Sequence, residues 1–217
     1  MDVRRAVGLV EQVRVIVVLR GEFGSSVALA TAETLMAEGF SVIEFTTNSA
    51  EPFAAMQAVK RALGDHASVG MGTVLDVETA QRSLNAGADF VVSPAFQPEV
   101  VETVQAADVL MVPGVLTPTE AIHAWNMGVP LLKLFPVGAL DVTYFQAFVG
   151  PFEHMKFTVN GAINADNTLT FLRAGATACG IGGWLTGDGT WDQATIRERA
   201  RQLRRAVNLA QGHLPTI

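Results

Sequence analysis

The chain has 217 residues, of which 49% are hydrophobic, and its formal net charge is -6. This length supports one substantial core, so we expect a single domain over residues 1–217. The acidic balance and the absence of a basic run argue against nucleic acid as a partner, because nucleic-acid surfaces carry clustered lysine and arginine. Cys179 is the only cysteine, which excludes an intrachain disulfide.

The start of the chain, Met1–Arg5, lacks the apolar stretch and cleavage site of a signal peptide. No apolar run approaches the length that a bilayer-spanning helix needs. We therefore expect a cytoplasmic protein without a membrane partner.

Short apolar runs alternate with longer segments of helical period along nearly the whole chain. The strand candidates are Val13–Leu19, Ser41–Thr46, Ala67–Gly72, Phe90–Ser93, Val109–Pro113, Leu131–Phe135, Met155–Val159 and Ala178–Ile181. The helix candidates are Arg4–Glu11, Ser25–Glu38, Pro52–Leu63, Val77–Asn85, Pro98–Ala106, Pro118–Met127, Asp141–Val149, Asn167–Ala174 and Gln193–Ala210. Thr117-Pro118-Thr119-Glu120 predicts a capping box at a helix start.

Eight strand-helix units in this length predict the α/β fold class, as a (β/α)₈ TIM barrel with a short helix before its first strand. A doubly wound open sheet is the alternative architecture. No Gly-x-Gly-x-x-Gly opens an early helix, and the glycines cluster after the last two strands, which favours the barrel.

Lys133 interrupts the apolar run Leu131–Phe135. Because desolvation lowers the pKa of lysine, a buried one can be a neutral nucleophile near pH 7, as Schiff-base chemistry requires. The alternative is a lysine on an exposed edge strand. Pro130 and Pro136 bound a short run with apolar residues on both sides of the lysine, which favours burial on both faces.

Glu44 lies between Ile43 and Phe45 on a predicted inner strand, where an unused carboxylate is costly. One interpretation is a general acid/base beside the Lys133 amine, with a pKa raised by its apolar setting. The other is a buried Glu44–Lys133 ion pair that only specifies packing, although such pairs seldom improve stability over apolar replacements.

Other polar and glycine residues follow the predicted strands, where the chemistry of a barrel collects. The residues after the last two strands, Asn160, Gly161, Ala162, Gly182 and Gly183, are candidates for binding a phosphate, although glycines there also serve tight turns. The residues at these strand ends are Asn48, Thr73, Pro94, Asn160, Gly161, Ala162, Gly182 and Gly183.

Six segments along the chain are specific when taken together: Ile43-Glu44-Phe45-Thr46, Met71-Gly72-Thr73-Val74-Leu75, Val92-Ser93-Pro94, Val112-Pro113-Gly114-Val115, Thr117-Pro118-Thr119-Glu120 and Lys133-Leu134-Phe135-Pro136. They resemble the class I pyruvate aldolases that cleave 2-keto-3-deoxy-6-phosphogluconate (KDPG) and 4-hydroxy-2-oxoglutarate (KHG). The resemblance covers nearly the whole chain.

The resemblance implies that Lys133 forms the Schiff base and that Glu44 shuttles protons. It also implies that Thr73, Pro94 and Phe135 line a pyruvate pocket, that the partner is a small keto acid, and that the protein is a homotrimer. No cofactor or metal is expected. A metal-dependent pyruvate aldolase would need ligands converging at strand ends, whereas the histidines fall in predicted helices, connections or the tail: His66, His123, His154 and His213.

The chain departs from the family pattern around the second half of the substrate. Asn48 lies where phosphogluconate-cleaving members usually carry arginine. Asn48 and Arg20 are both expected to bind substrate, and at these two positions the chain looks more like the phosphogalactonate aldolases. Ala162 replaces the second glycine of a usual pair, and Gly183 followed by Trp184 stands where a serine hydroxyl is expected. Trp184 either narrows the pocket, favouring a short or unphosphorylated aldehyde such as glyoxylate, or packs on a helix.

Two rival functions stay open from the sequence. One is a phosphate-binding barrel with isomerase or synthase chemistry, in which Lys133 acts without a covalent intermediate. The other is a barrel retained as a ligand-binding or assembly module.

Overall fold

The computed structural model describes residues 1–138 and 140–212. Its strands are β1 (Val15–Leu19), β2 (Val42–Thr46), β3 (Ser68–Gly72), β4 (Phe90–Val92), β5 (Leu110–Val112), β6 (Gly114–Val115), β7 (Leu132–Leu134), β8 (Phe157–Asn160) and β9 (Ala178–Ile181). Its α-helices are α1 (Val3–Val13), α2 (Ser25–Ala37), α3 (Pro52–Leu63), α4 (Val77–Asn85), α5 (Pro98–Gln105), α6 (Pro118–Asn126), α7 (Asp141–Val149), α8 (Ala165–Arg173), α9 (Gly183–Thr186) and α10 (Gln193–Ala210). The alternation of strands and helices that the sequence predicts is confirmed.

The strands form one parallel sheet in the order β5-β4-β3-β2-β1-β9-β8-β7-β6. The two ends of this order, β5 and β6, are separated in the chain only by Pro113, so one extended run supplies both edges and the sheet curls into a barrel. β5 and β6 together make the fifth strand of an eight-strand barrel, in which β7, β8 and β9 are the sixth, seventh and eighth. The predicted TIM barrel is confirmed.

The fifth predicted strand, Val109–Pro113, is wrong in extent because the run continues to Val115. Pro113 has no N–H to donate and divides the run into two pieces. Its carbonyl oxygen still accepts a hydrogen bond from the N–H of Lys133 at 2.9 Å. The proline therefore interrupts the ladder while leaving the chain extended.

Every residue of the nine strands is buried, as expected for a parallel sheet covered by helices. β7, which carries Lys133, pairs with β6 on one side and β8 on the other. The alternative of an exposed edge strand at Lys133 is therefore wrong.

Capping residues explain where the observed helix starts and ends differ from the predicted ones. The first helix extends to Val13, which the sequence assigned to a strand, and ends at Arg14 in a left-handed conformation with φ of 64°. The eighth helix begins at Ala165, ahead of the predicted Asn167, because Asn164 and Asn167 form a capping box. The predicted box of Thr117 and Glu120 is confirmed.

None of the helices in residues 1–138 and 140–212 combines the length and apolarity that a membrane crossing needs. Three of the histidines, His66, His123 and His154, are exposed, and His154 packs edge-on against Trp125. His213 lies outside the described residues.

Candidate active site

A cavity of about 390 Å³ opens at the carboxyl ends of the strands. Residues from the ends of five strands line it, among them Arg20, Glu44, Lys133, Phe135 and Asn160. This is the face of a barrel where catalytic groups collect. The sequence-predicted site residues from β1, β2, β7, β8 and β9 are therefore brought together in one space.

Glu44 and Lys133 reach this cavity from opposite walls. β2 is the second strand of the barrel and β7 the sixth, four positions apart in a ring of eight. Both side chains are buried, with relative exposures of 1% for Glu44 and 5% for Lys133. The two groups form no salt bridge with each other, although both face the same space. The buried carboxylate and the buried amine therefore do not form a packed ion pair.

The carboxylate of Glu44 is poorly solvated by the protein. Its Oε2 is buried and has no hydrogen-bond partner among residues 1–138 and 140–212. Burial raises the pKa of Glu44 above its ordinary value, and the positive charges of Lys133 and Arg20 oppose that rise. A carboxyl group in this setting holds and releases protons nearer neutral pH than an exposed one.

Lys133 extends from β7 into an apolar setting. Its Nζ lies 5.0 Å from the ring centroid of Phe135, and its strand neighbours in register are Gly114 and Thr158. Burial lowers the pKa of Lys133; the Glu44 carboxylate opposes this decrease and the Arg20 guanidinium adds to it. The direction of this shift favours a neutral, nucleophilic amine.

Arg20 follows β1 and lies at the mouth of the cavity. Its side chain is exposed and one guanidinium N–H donates to Thr73 Oγ1 at 3.4 Å. Thr73, after β3, has φ of 60°, and its carbonyl oxygen accepts a hydrogen bond from the Thr47 hydroxyl at 2.7 Å. Arg20 therefore extends over the end of β2 toward β3. Thr73 contacts Arg20, and Arg20 in turn lines the cavity.

Asn160 ends β8 and presents a buried amide to the cavity. Its Oδ1 accepts a hydrogen bond from the Thr158 hydroxyl at 3.1 Å. A Cβ at Gly180, on the neighbouring strand, would lie 1.8 Å from Asn160 Nδ2. The glycine thus provides the space that the amide occupies.

The loops after β8 and β9 line the cavity beside the end of β1, because β9 is the sheet neighbour of β1. Gly161 and Ala162 are both left-handed, with φ of 101° and 53°. Within the part of the chain that the structure describes, the N–H groups of Gly161, Ala162 and Gly183 have no acceptor. Consecutive free N–H groups of this kind can bind an anion.

Several lining residues were not among the predicted site residues. Ile163 and Asn164 line the cavity from the loop after β8, and Val18 and Gly180 line it from the strands. Asn164 also caps α8, and only the Asn-x-x-Asn spacing in the sequence pointed to it. Trp184 lines the cavity and also contacts Arg199 of α10, and its effect on the choice of aldehyde stays a prediction.

Three predicted substrate-binding residues, Thr73, Asn48 and Pro94, do not line the cavity. Asn48 is exposed in the turn after β2. Pro94 follows β4 and lies against Gly114. A Cβ built on Gly114 would be 2.2 Å from the Pro94 carbonyl oxygen. Their roles toward a substrate stay predictions.

The family model described as KDPG and KHG aldolase matches residues 8–199. The 2-dehydro-3-deoxy-phosphogluconate aldolase of Treponema pallidum is 34% identical over 177 residues, which cover 81% of this chain and 83% of that protein. The 2-dehydro-3-deoxy-6-phosphogalactonate aldolase of Escherichia coli K12 is 30% identical over 187 residues, covering 85% of this chain and 90% of that protein.

Among solved structures, the KDPG aldolase of Legionella pneumophila with pyruvate captured as a covalent carbinolamine superposes with a TM-score of 0.79. It is 25% identical, and the match covers 94% of this chain and 97% of that one. The barrel, the buried lysine and the carboxylate opposite it agree with these similarities. The chain belongs to the KDPG and KHG aldolase family.

Proposed function

We propose that the protein is a class I pyruvate aldolase in which Lys133 forms a Schiff base with a 2-keto acid and Glu44 transfers protons. One observation carries this proposal: a buried amine and a buried carboxylate face each other across one cavity without forming an ion pair. Among the residues that the structure describes, neither group has an ion-pair partner that would account for its burial, and perturbed groups in a cleft are typical of catalysis.

The first half of the reaction builds the electron sink. The neutral Lys133 amine adds to the C2 ketone and forms a C–N bond, giving a carbinolamine. Glu44, in its protonated form, supplies the proton with which the C2 hydroxyl leaves as water, and the protonated imine remains. The lowered pKa of Lys133 and the raised pKa of Glu44 match these two roles.

The second half breaks the carbon–carbon bond. The Glu44 carboxylate takes the proton from the C4 hydroxyl as the C3–C4 electron pair moves into the iminium, and an aldehyde leaves. The resulting enamine takes a proton at C3, and water then releases pyruvate and regenerates the amine. The iminium accepts the electron pair, so neither a metal nor an organic cofactor is part of this proposal.

The proposed substrates are a 2-keto-3-deoxy-6-phospho sugar acid, of the gluconate or galactonate type, and 4-hydroxy-2-oxoglutarate. The aldehyde product is then glyceraldehyde 3-phosphate or glyoxylate. The names of the relatives support this class. Arg20 offers a cation for the substrate carboxylate, and the free N–H groups of Gly161, Ala162 and Gly183 offer an anion site for a phosphate.

The test is to trap the covalent intermediate. The protein is incubated with pyruvate, reduced with borohydride and mapped by peptide mass spectrometry. The chain has only three lysines, and Lys60 and Lys156 are in ion pairs with Asp89 and Glu11, so the map assigns the adduct without ambiguity. We expect the adduct on Lys133 and none in Lys133→Ala. A folded protein that gains no adduct contradicts the proposal and favours isomerase or synthase chemistry without a covalent step.

A further inference from the structure

A cation between two indole rings lies directly outside the cavity. The Arg199 guanidinium carbon is 4.2 Å from the ring centroid of Trp191 and 5.3 Å from that of Trp184. One guanidinium N–H of Arg199 also donates to the backbone carbonyl of Trp184. A planar guanidinium can stack on rings and hydrogen-bond in its plane at the same time, which a lysine ammonium cannot.

The segment that Arg199 contacts has little stability of its own. α9 has four residues, Gly183–Thr186, and its N-cap, Gly182, provides no side-chain hydrogen bond. A single helical turn is unstable without tertiary contacts. On the inner side, Leu185 is fully buried and the Thr186 hydroxyl donates to the Val18 carbonyl at 3.4 Å. On the outer side the contact is Arg199.

Trp191 connects Arg199 to a second wall of the cavity. Its ring covers Gly187, where a Cβ would lie 2.6 Å from the indole. The adjacent Asp188 carbonyl accepts a hydrogen bond from the N–H of Glu22 at 2.6 Å, and Glu22 is two residues after Arg20. Contacts around Arg199 therefore join the loop after β1 to the loop after β9, and both loops line the cavity.

We propose that Arg199 is a positioning residue that sets the geometry of the cavity end formed by Gly182, Gly183 and Trp184. This inference rests on the proposed function, in which the aldehyde half of the substrate binds at that end. Lys133 and Glu44 lie on other strands and do not contact Arg199. Loss of Arg199 therefore weakens binding of the aldehyde and leaves the chemistry at the keto acid unchanged.

The experiment measures aldol addition at saturating pyruvate for Arg199→Met and Arg199→Lys. The probes are D-glyceraldehyde 3-phosphate, D-glyceraldehyde and glyoxylate, and the aldehyde with the highest kcat/KM in the parent protein is used throughout. We expect Arg199→Met to raise the KM for that aldehyde about tenfold and to leave kcat within about twofold. Arg199→Lys keeps the charge without the planar fork and is expected to give an intermediate KM.

Arg197→Met is the matched control. Arg197 is exposed on the same helix and, within the described part of the chain, makes no hydrogen bond, ion pair or ring contact. The Arg197→Met substitution should leave the KM for the aldehyde unchanged. The rate of borohydride-trapped adduct formation on Lys133 is measured in parallel, because it reports the keto-acid half alone.

The outcomes separate the two proposals. Absence of an adduct in the parent protein overturns the proposed function, whereas a normal adduct with an unchanged aldehyde KM in both Arg199 variants overturns the positioning role. A fall in thermal stability, adduct rate and kcat together shows a merely structural role and also overturns it. If Arg199→Met does not fold, the KM of Arg199→Lys decides in the same way.

Discussion

The Glu44 side chain fills the space in which residue 72 would carry a Cβ. A Cβ built on Gly72 would lie 1.8 Å from Glu44 Oε1 and 2.5 Å from its carboxyl carbon. The two residues are on neighbouring strands, β2 and β3, whose register pairs Thr46 with Gly72. Gly72 therefore decides whether the carboxylate can lie where it faces Lys133.

Gly72→Ala should displace the Glu44 carboxylate from the cavity. Because a positioned general acid or base contributes about 10²–10⁴ in rate, we expect kcat for retro-aldol cleavage to fall by about 10² or more. The control is Gly8→Ala on the exposed face of α1, where a Cβ meets nothing within 4 Å in the described part of the chain. Steady-state cleavage of KDPG measures both. A Gly72→Ala protein with full kcat would show that Glu44 needs no fixed position.

Replacing both buried groups tests whether they are retained for chemistry. We expect the double variant Glu44→Gln, Lys133→Met to be inactive and as stable as the parent, or more stable by about 1–4 kcal/mol, because the replacements remove two buried ionisable groups whose charged forms are costly there. Urea unfolding gives the free energy of unfolding. A loss of several kcal/mol would instead favour a structural role for the pair.

The architecture was predictable because its signals are local. Alternating apolar runs and helix starts such as Thr117-Pro118-Thr119-Glu120 depend only on residues that are neighbours in the chain. They were enough to predict the barrel and the positions of most strands and helices. The division of the fifth strand at Pro113 and the short helix α9 were missed. The division of the fifth strand depends on which neighbouring strand each of its halves pairs with. Helix α9 is a single turn that contacts with distant segments stabilise.

The candidate site was predictable where strand position decides it. Glu44 and Lys133 were expected together because both lie on inner strands of a barrel, and the cavity contains both. The fit of Gly72 to Glu44 and of Gly180 to Asn160 was not predictable, since it depends on packing between strands. Arg199 had no signal in the sequence, because its contacts with Trp184 and Trp191 form only when the chain folds.

Removing the charge of Arg20 should shift the pH dependence of adduct formation. The guanidinium lowers the pKa of Lys133, so Arg20→Met raises that pKa and leaves more of the amine protonated at a given pH. The acid limb of the trapping rate with pyruvate and borohydride should therefore move to higher pH. Arg4→Met, at an exposed site on α1, is the control and should keep the parent profile. A limb that stays in place or moves to lower pH would contradict the electrostatic role of Arg20.

Gly183 offers a direct test of which aldehyde half the cavity accepts. A Cβ built on Gly183 meets no atom of the described residues within 4 Å, and its backbone is not in the left-handed region, so a side chain fits without strain. Gly183→Ser adds a hydroxyl beside the free N–H groups of the loop. A hydrogen bond to a charged group is worth about 1.5–3 kcal/mol, so kcat/KM for D-glyceraldehyde 3-phosphate should rise about tenfold relative to D-glyceraldehyde.

Gly183→Ala separates the effect of the hydroxyl from that of the added carbon. It should leave the ratio of kcat/KM for the phosphorylated and unphosphorylated aldehydes at the parent value, because a methyl group offers no hydrogen bond to a phosphate. Equal ratios in the serine and alanine variants would show that the phosphate does not reach the loop after β9. The free N–H groups of Gly161 and Ala162, after β8, would then be the part of the cavity left to bind it.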